Sequence, residues 1–216
     1  MAPSRAVLFD LDGTLADTAA DLAAALNHLR TQRGMNALPV NEVRPFASMG
    51  ARGLLRAGFG LSADDPGYLA MRNAFLDRYG EKVCVETRLF PGMAELLREL
   101  VQRRIAWGIV TNKSSRFTSR IVGALKVAPA CIVCGDSTPH LKPHPAPLFL
   151  AADQLKLPPP KCFYVGDDLR DVQAARAAGM RPIAVQWGYH SPDNGDPRDW
   201  DADAVIDEPA ELLKLL

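Results

Sequence analysis

The chain has 216 residues, 48% of them hydrophobic, with 25 basic and 25 acidic side chains. That length suits one large domain or a domain with a small insert, and the apolar fraction permits a sizeable core. The balanced charge argues against nucleic acid as a partner, and no stretch approaches the ~18 apolar residues of a membrane span.

The first apolar run, Ala6-Val7-Leu8-Phe9, is too short for a secretory signal and reads as a buried strand. A soluble, cytoplasmic protein without membrane contact is expected. The strand runs into Asp10-Leu11-Asp12-Gly13-Thr14-Leu15-Ala16-Asp17-Thr18. Side chains alternate along a strand, so Asp10 and Asp12 share a face if the extended geometry persists. The turn at Gly13 places both at the strand's carboxyl end, where open α/β sheets hold their ligands. An ionised carboxylate can attack phosphorus and form an aspartyl-phosphate. A hard cation such as Mg2+ would then stand between it and an anionic phosphate. A second carboxylate nearby can protonate the leaving oxygen and later take a proton from water. A bare Asp-x-Asp-Gly is equally a strand followed by an ordinary Asp-Gly turn.

Thr18 and Asp21 have capping-box spacing, and Leu22, Ala25, Leu26 and Leu29 follow as an amphipathic helical stripe, with Gly34 as a stop. A polar connection with Pro39 and Pro45 leads to Phe46–Gly53, and Asp64-Asp65-Pro66-Gly67 marks a break. A second helix is expected from Tyr68 to Tyr79, with Leu69, Arg72, Phe75, Leu76 and Tyr79 along one side. No strand-like alternation occurs between about residues 17 and 85. Residues 17–88 therefore read as a helical insert between 1–16 and 89–216. Such an insert beside a catalytic strand end is either a lid that excludes water or an ordinary bundle that packs away apolar surface.

From Phe90-Pro91-Gly92 onward, helices and strands alternate. Met93, Leu96, Leu97, Leu100 and Val101 form a helical stripe, and Ile105–Val110 reads as the second core strand. Helices are expected at 115–125, 146–156 and 168–178. Strands are expected at 130–134, 162–165, 183–185 and 204–206. The alternation predicts an α/β fold with a parallel sheet, helices on both faces and the loops after the strands on one edge. Cys131 and Cys134 have the spacing of half a zinc site, but no second pair follows. With Cys84 and Cys162 they read as reduced, structural thiols.

Three of those loops carry pointed chemistry. Thr111-Asn112-Lys113 ends the second strand: its hydroxyl and amide either donate to phosphate oxygens or cap the next helix, and Lys113 reads as solvated. In Leu141-Lys142-Pro143-His144-Pro145 the prolines restrain the lysine, whose ammonium could neutralise a nucleophile and a phosphate together, or simply lie exposed. Gly166-Asp167-Asp168-Leu169-Arg170-Asp171 crowds carboxylates at a helix start, which suits either capping or a divalent metal.

Taken in order, Asp-x-Asp-Gly-Thr-Leu-x-Asp-Thr, Thr-Asn, Lys-Pro and Gly-Asp-Asp-x-x-Asp resemble the four-motif set of the haloacid dehalogenase-like hydrolase superfamily over nearly the whole chain. The resemblance implies a Rossmann-like doubly wound parallel sheet with a small α-helical cap inserted after the first strand. It implies Asp10 as nucleophile and Asp12 as general acid and base, and Asp12 favours phosphoryl transfer over dehalogenation. It further implies Mg2+ held by Asp10, the main-chain carbonyl of Asp12 and Asp167, with Asp171 in support. Asp168 stands where relatives often carry a small polar residue. Thr111, Asn112 and Lys142 would bind the phosphoryl group. Leu89–Met93, Val110–Lys113 and the tail Trp187–Asn194 are similar to the phosphoglycolate phosphatase branch, including N-acetylmuramic acid 6-phosphate phosphatases. A small phosphorylated metabolite is the expected partner. Both named esters carry a carboxylate, which Arg52, beside Gly50 and Gly53, could hold through its planar fork. A sugar phosphomutase of the same superfamily and a non-enzymatic phosphoaspartate or ligand-binding protein remain as alternatives.

Overall fold

A computed structural model describes residues 4–216. In chain order the elements are β1 (Ala6–Phe9), β2 (Ala16–Asp17), α1 (Ala19–Thr31), α2 (Val40–Val43), α3 (Gly50–Phe59), α4 (Tyr68–Glu81), β3 (Arg88–Leu89), α5 (Met93–Gln102), β4 (Ala106–Val110), α6 (Ser115–Leu125), β5 (Cys131–Val133), α7 (Ala146–Leu155), β6 (Cys162–Gly166), α8 (Leu169–Ala178), β7 (Arg181–Val185) and β8 (Ala204–Ile206). Six strands form one parallel sheet in the order β5-β4-β1-β6-β7-β8. β1 is central and fully buried because every residue in it is apolar and both sheet faces are covered. Val7 and Phe9 join the larger core with α1, α3, α4 and α5, whereas Ala6 and Leu8 face the smaller one with α7 and α8. The fold is the parallel α/β sheet that the alternation predicts, in the Rossmann-like form that the resemblance implies. Among the described residues, no helix is long and apolar enough to cross a membrane.

Several local expectations are corrected. The insert is entered and left through a two-stranded antiparallel ribbon, β2 with β3, pairing Ala16 with Leu89 and Asp17 with Arg88. Two-residue strands are too short to show alternation. The Thr18–Asp21 capping box does not form. Instead the buried Asp21 carboxylate accepts main-chain N–H bonds from Val85, Glu86 and Thr87 at 3.0 Å each, and the Thr87 hydroxyl donates to it at 2.7 Å. A carboxylate with four donors on another segment has no reason to fold back on its own helix. On α4 the buried side is Tyr68, Phe75 and Tyr79, and Leu69 is exposed. On α5, Val101 is exposed.

All four cysteines are free, and Cys131, Cys134 and Cys162 are buried. Burial pushes the Cys131 thiol up to about 12 and the Cys162 thiol up to about 11, so both stay protonated packing groups.

Candidate active site

The carboxyl ends of β1, β4 and β6 lie side by side because those strands are neighbours in parallel register. Asp10 follows β1 directly. Its main-chain N–H continues the ladder to Val165 O, and its carboxylate accepts from Leu11 N at 2.7 Å. Asp167 and Asp171 come from the end of β6 and the first turn of α8. Oxygen atoms of Asp10, Asp167 and Asp171 lie within 4.8 Å of one another, all three residues buried.

Asp167 is clamped from three directions. The Thr14 hydroxyl donates to it at 2.8 Å, the Ser48 hydroxyl at 2.8 Å and Tyr189 N–H at 3.0 Å. Backbone also closes on it: a Cβ placed at Gly13 or at Gly188 would come within 2.1 Å of Asp167, so only glycine permits this approach. Burial, with Asp10 and Asp171 beside it, pushes its pKa up to about 8. Burial raises Asp171 to about 7, with Asp10 and Asp168 adding to the rise against the pull of Lys142. Crowded anions with only oxygen donors fit a hard divalent cation, which would relieve both burial and repulsion.

Lys142 is buried and held at four points. Its ammonium donates to Asp171 at 2.7 Å, Tyr164 Oη at 2.7 Å and Val110 O at 3.3 Å, and pairs with Asp10 at 3.1 Å. Burial opposes its charge, but Asp10 and Asp171 outweigh that and hold its pKa above the usual lysine value. Its main chain is fixed by the Asn112 side chain, which accepts from Lys142 N at 2.9 Å and donates to Lys142 O at 3.0 Å. The Thr111 hydroxyl accepts from Lys113 N at 3.2 Å, and Thr111 lines the cleft.

Asp12 is kept apart from the acidic trio. Its carboxylate accepts from the Thr18 hydroxyl at 2.5 Å and from the Lys113 ammonium at 2.9 and 3.1 Å. Lys113 is therefore not solvated: its side chain is only 8% exposed, and its ammonium lies 4.7 Å from the centre of the Tyr79 ring on α4. Burial works against its charge, yet Asp12 and Tyr79 raise its pKa. The strand end alone gives no signal for this lysine, since its direction depends on Tyr79, 34 positions earlier in sequence. Thr14 and Thr18 stood within the first motif, but nothing near Ser48 marked it.

At the start of α8 the capping expectation is met. Asp168 accepts from Arg170 N at 2.9 Å and Asp171 accepts from Asp168 N at 3.1 Å, a reciprocal capping box. Asp168 also takes two bonds from the Arg170 guanidinium, at 2.7 and 2.9 Å, and lies outside the acidic trio. Arg52 reaches the cleft from α3 across from these groups.

Residues 7–185 match the family model described as haloacid dehalogenase-like hydrolase. An N-acetylmuramic acid 6-phosphate phosphatase of Pseudomonas putida is 42% identical over 98% of this chain and 96% of that protein. A phosphoglycolate phosphatase of Xanthomonas campestris is 41% identical over 96% of this chain and 94% of that protein. Among solved structures, a predicted phosphoglycolate phosphatase from Haemophilus somnus superposes with a TM-score of 0.85 at 27% identity, covering 100% of this chain and 99% of that one.

Proposed function

The chain belongs to the haloacid dehalogenase-like hydrolase family, and we propose that it is a Mg2+-dependent phosphatase that hydrolyses a small phosphate monoester, 2-phosphoglycolate or N-acetylmuramic acid 6-phosphate, through an aspartyl-phosphate. It is an enzyme of the phosphatase class to which its near relatives are named. The observation that carries the mechanism is the division between two aspartates only two residues apart. Asp10 faces Lys142, Asp167 and Asp171, whereas Asp12 is held by Thr18 and Lys113.

Asp10 attacks the phosphorus in line while Asp12 protonates the departing alcohol oxygen. Asp12 then takes a proton from the water that cleaves the acyl-phosphate, which releases inorganic phosphate and restores both carboxyl groups. Lys142 holds its charge against Asp10 and the phosphoryl oxygens, and Thr111 and Asn112 bind the same group from the β4 loop. Fixed charges of this kind act without reorganising during the reaction, where they are most effective. Asp10, Asp167 and Asp171, with the main-chain carbonyl of Asp12, would hold Mg2+, whose charge when bound offsets that of a phosphate next to a carboxylate nucleophile. Residues 17–88 serve as a cap over a core of 1–16 and 89–216, and Arg52 meets the leaving group. Residues 1–3 of that core lie outside the described part of the chain.

The test is phosphate release with Mg2+ from a panel of 2-phosphoglycolate, N-acetylmuramic acid 6-phosphate, hexose phosphates and nucleotides, with Asp10→Asn alongside. Release from one of the two acidic esters, reduced at least ~10⁴-fold in the variant, supports the reading. Equal release by wild type and Asp10→Asn would remove Asp10 from the chemistry, and no release from any ester would remove the hydrolase.

A further inference from the structure

The cleft above Asp10 and Asp12 has a volume of about 560 Å³, within the ~300–1,000 Å³ that holds a whole small ligand rather than a phosphoryl group alone. The phosphoryl end lies on the loops after β1, β4 and β6. The opposite wall is formed by α3 and α4, which place Arg52 and Arg72 on the lining. A second cavity, of about 390 Å³, shares Met49, Arg52, Asp168 and Arg170 with the first.

The lining carries five carboxylates and five cationic side chains, but they are not paired one to one. Its five carboxylates are all engaged: Asp10 and Asp171 with Lys142, Asp12 with Lys113, Asp168 with Arg170, and Asp136 with the Ser115 N–H and hydroxyl. Among the described residues, Arg52 and Arg72 form no ion pair. Two guanidinium groups from different helices thus line one cleft without an ion-pair partner, while the other three cations on the lining, Lys113, Lys142 and Arg170, are bound to its carboxylates. Their complement is a negative charge that arrives with the ligand, at the end remote from the phosphate.

Resting on the phosphatase reading, we infer that Arg52 and Arg72 together form an anion site for a carboxylate on the leaving alcohol, with Arg72 a specificity-determining residue of this reaction. The planar fork of arginine suits a carboxylate, and a charged pair in a cleft selects by the loss suffered when one partner is missing.

Binding separates this inference from the question of turnover. Asp10→Asn protein is titrated with N-acetylmuramic acid 6-phosphate and with N-acetylglucosamine 6-phosphate, which lacks the 3-O-lactyl ether that carries the carboxylate. The expected result is a preference of at least ~10-fold for the acid, the scale of one hydrogen bond to a charged group. Adding Arg72→Ala or Arg52→Ala reduces that preference to within about threefold of unity, and Arg72→Lys restores part of it. 2-Phosphoglycolate and its carboxamide form a second pair, in which the acid is again expected to bind more tightly. Equal affinity of acid and neutral ligand in both pairs overturns the inference, as does a preference that survives both alanine substitutions. A carboxylate preference in protein that releases no phosphate would retain the anion site and overturn the phosphatase reading alone.

Discussion

The floor of the cleft and its roof are built to different rules. On the floor, Asp10, Lys142, Asp167 and Asp171 are all buried, and each contacts several fixed partners. On the roof, Arg52 and Arg72 are exposed on the faces of two helices and have no such partners. The contrast teaches where rigidity is needed. A transferring phosphoryl group demands charges already in place, because reorganisation in the transition state is part of the barrier. Recognition of a leaving group needs only a charge of the right sign within reach, and long side chains tolerate several ligands there.

The largest expected effect breaks the floor. Lys142→Met leaves Asp10 and Asp171 buried without their shared cation, a change that costs about 3–5 kcal/mol when one partner of a buried pair is lost. Thermal unfolding of the metal-free protein is expected to drop by roughly 10 °C, whereas Arg72→Ala moves it by no more than about 2 °C, as surface substitutions do. Comparable shifts in the two would erase the distinction between floor and roof.

A smaller effect concerns the hinge between them. Lys113 belongs to the β4 loop but packs on Tyr79 of α4, and it orients Asp12. Lys113→Met is expected to lower kcat by about 10²-fold, the lower end of what a positioned acid or base contributes, with KM changed less than threefold. Lys113→Arg should recover part of the loss. A loss confined to KM would make Lys113 a binding residue of the roof instead.

The mildest test uses pH. Asp167 at about 8 and Asp171 at about 7 keep protons in the folded, metal-free chain that ordinary unfolded carboxylates, near ~4, have released. The folded state therefore binds more protons, and stability must fall as pH rises from about 4 to about 8. Melting of the chelator-treated protein from pH 5 to 8 should show that decline, and Mg2+ should reverse it most at pH 8. A flat profile, unaffected by Mg2+, would mean that the trio is not strained by its own charge.

The sequence made the floor far more legible than the roof. Each core strand is a short apolar run ended by a polar or glycine-containing loop, so the order of strands and helices was readable; Asp10, Asp12 and Asp167 follow the ends of those runs, and Lys142 stood out by its flanking prolines. What escaped depends on distant pairs. Asp21 had the spacing of a cap, but its donors lie more than sixty positions away. Lys113 looked like any loop lysine until Tyr79 came down beside it. The stripe read on α4 through Leu69, Arg72, Phe75, Leu76 and Tyr79 contains the buried Phe75 and Tyr79 but also the exposed Leu69 and Arg72, and it omits the buried Tyr68. Periodicity finds a face of a helix, but not where on that face the core ends and the cleft begins.

The Asp21 contact also bears on how residues 17–88 can move. The outgoing and returning chains run side by side in the β2–β3 ribbon, and Asp21 ties the first turn of α1 to residues 85–87 just before that ribbon. Both covalent crossings are thus gathered into one narrow stem, with the knot on the insert's side of it. Two chain crossings gathered at one place leave a single covalent pivot, as a gate has on a single post. Points far from the post travel furthest, and points beside it barely move.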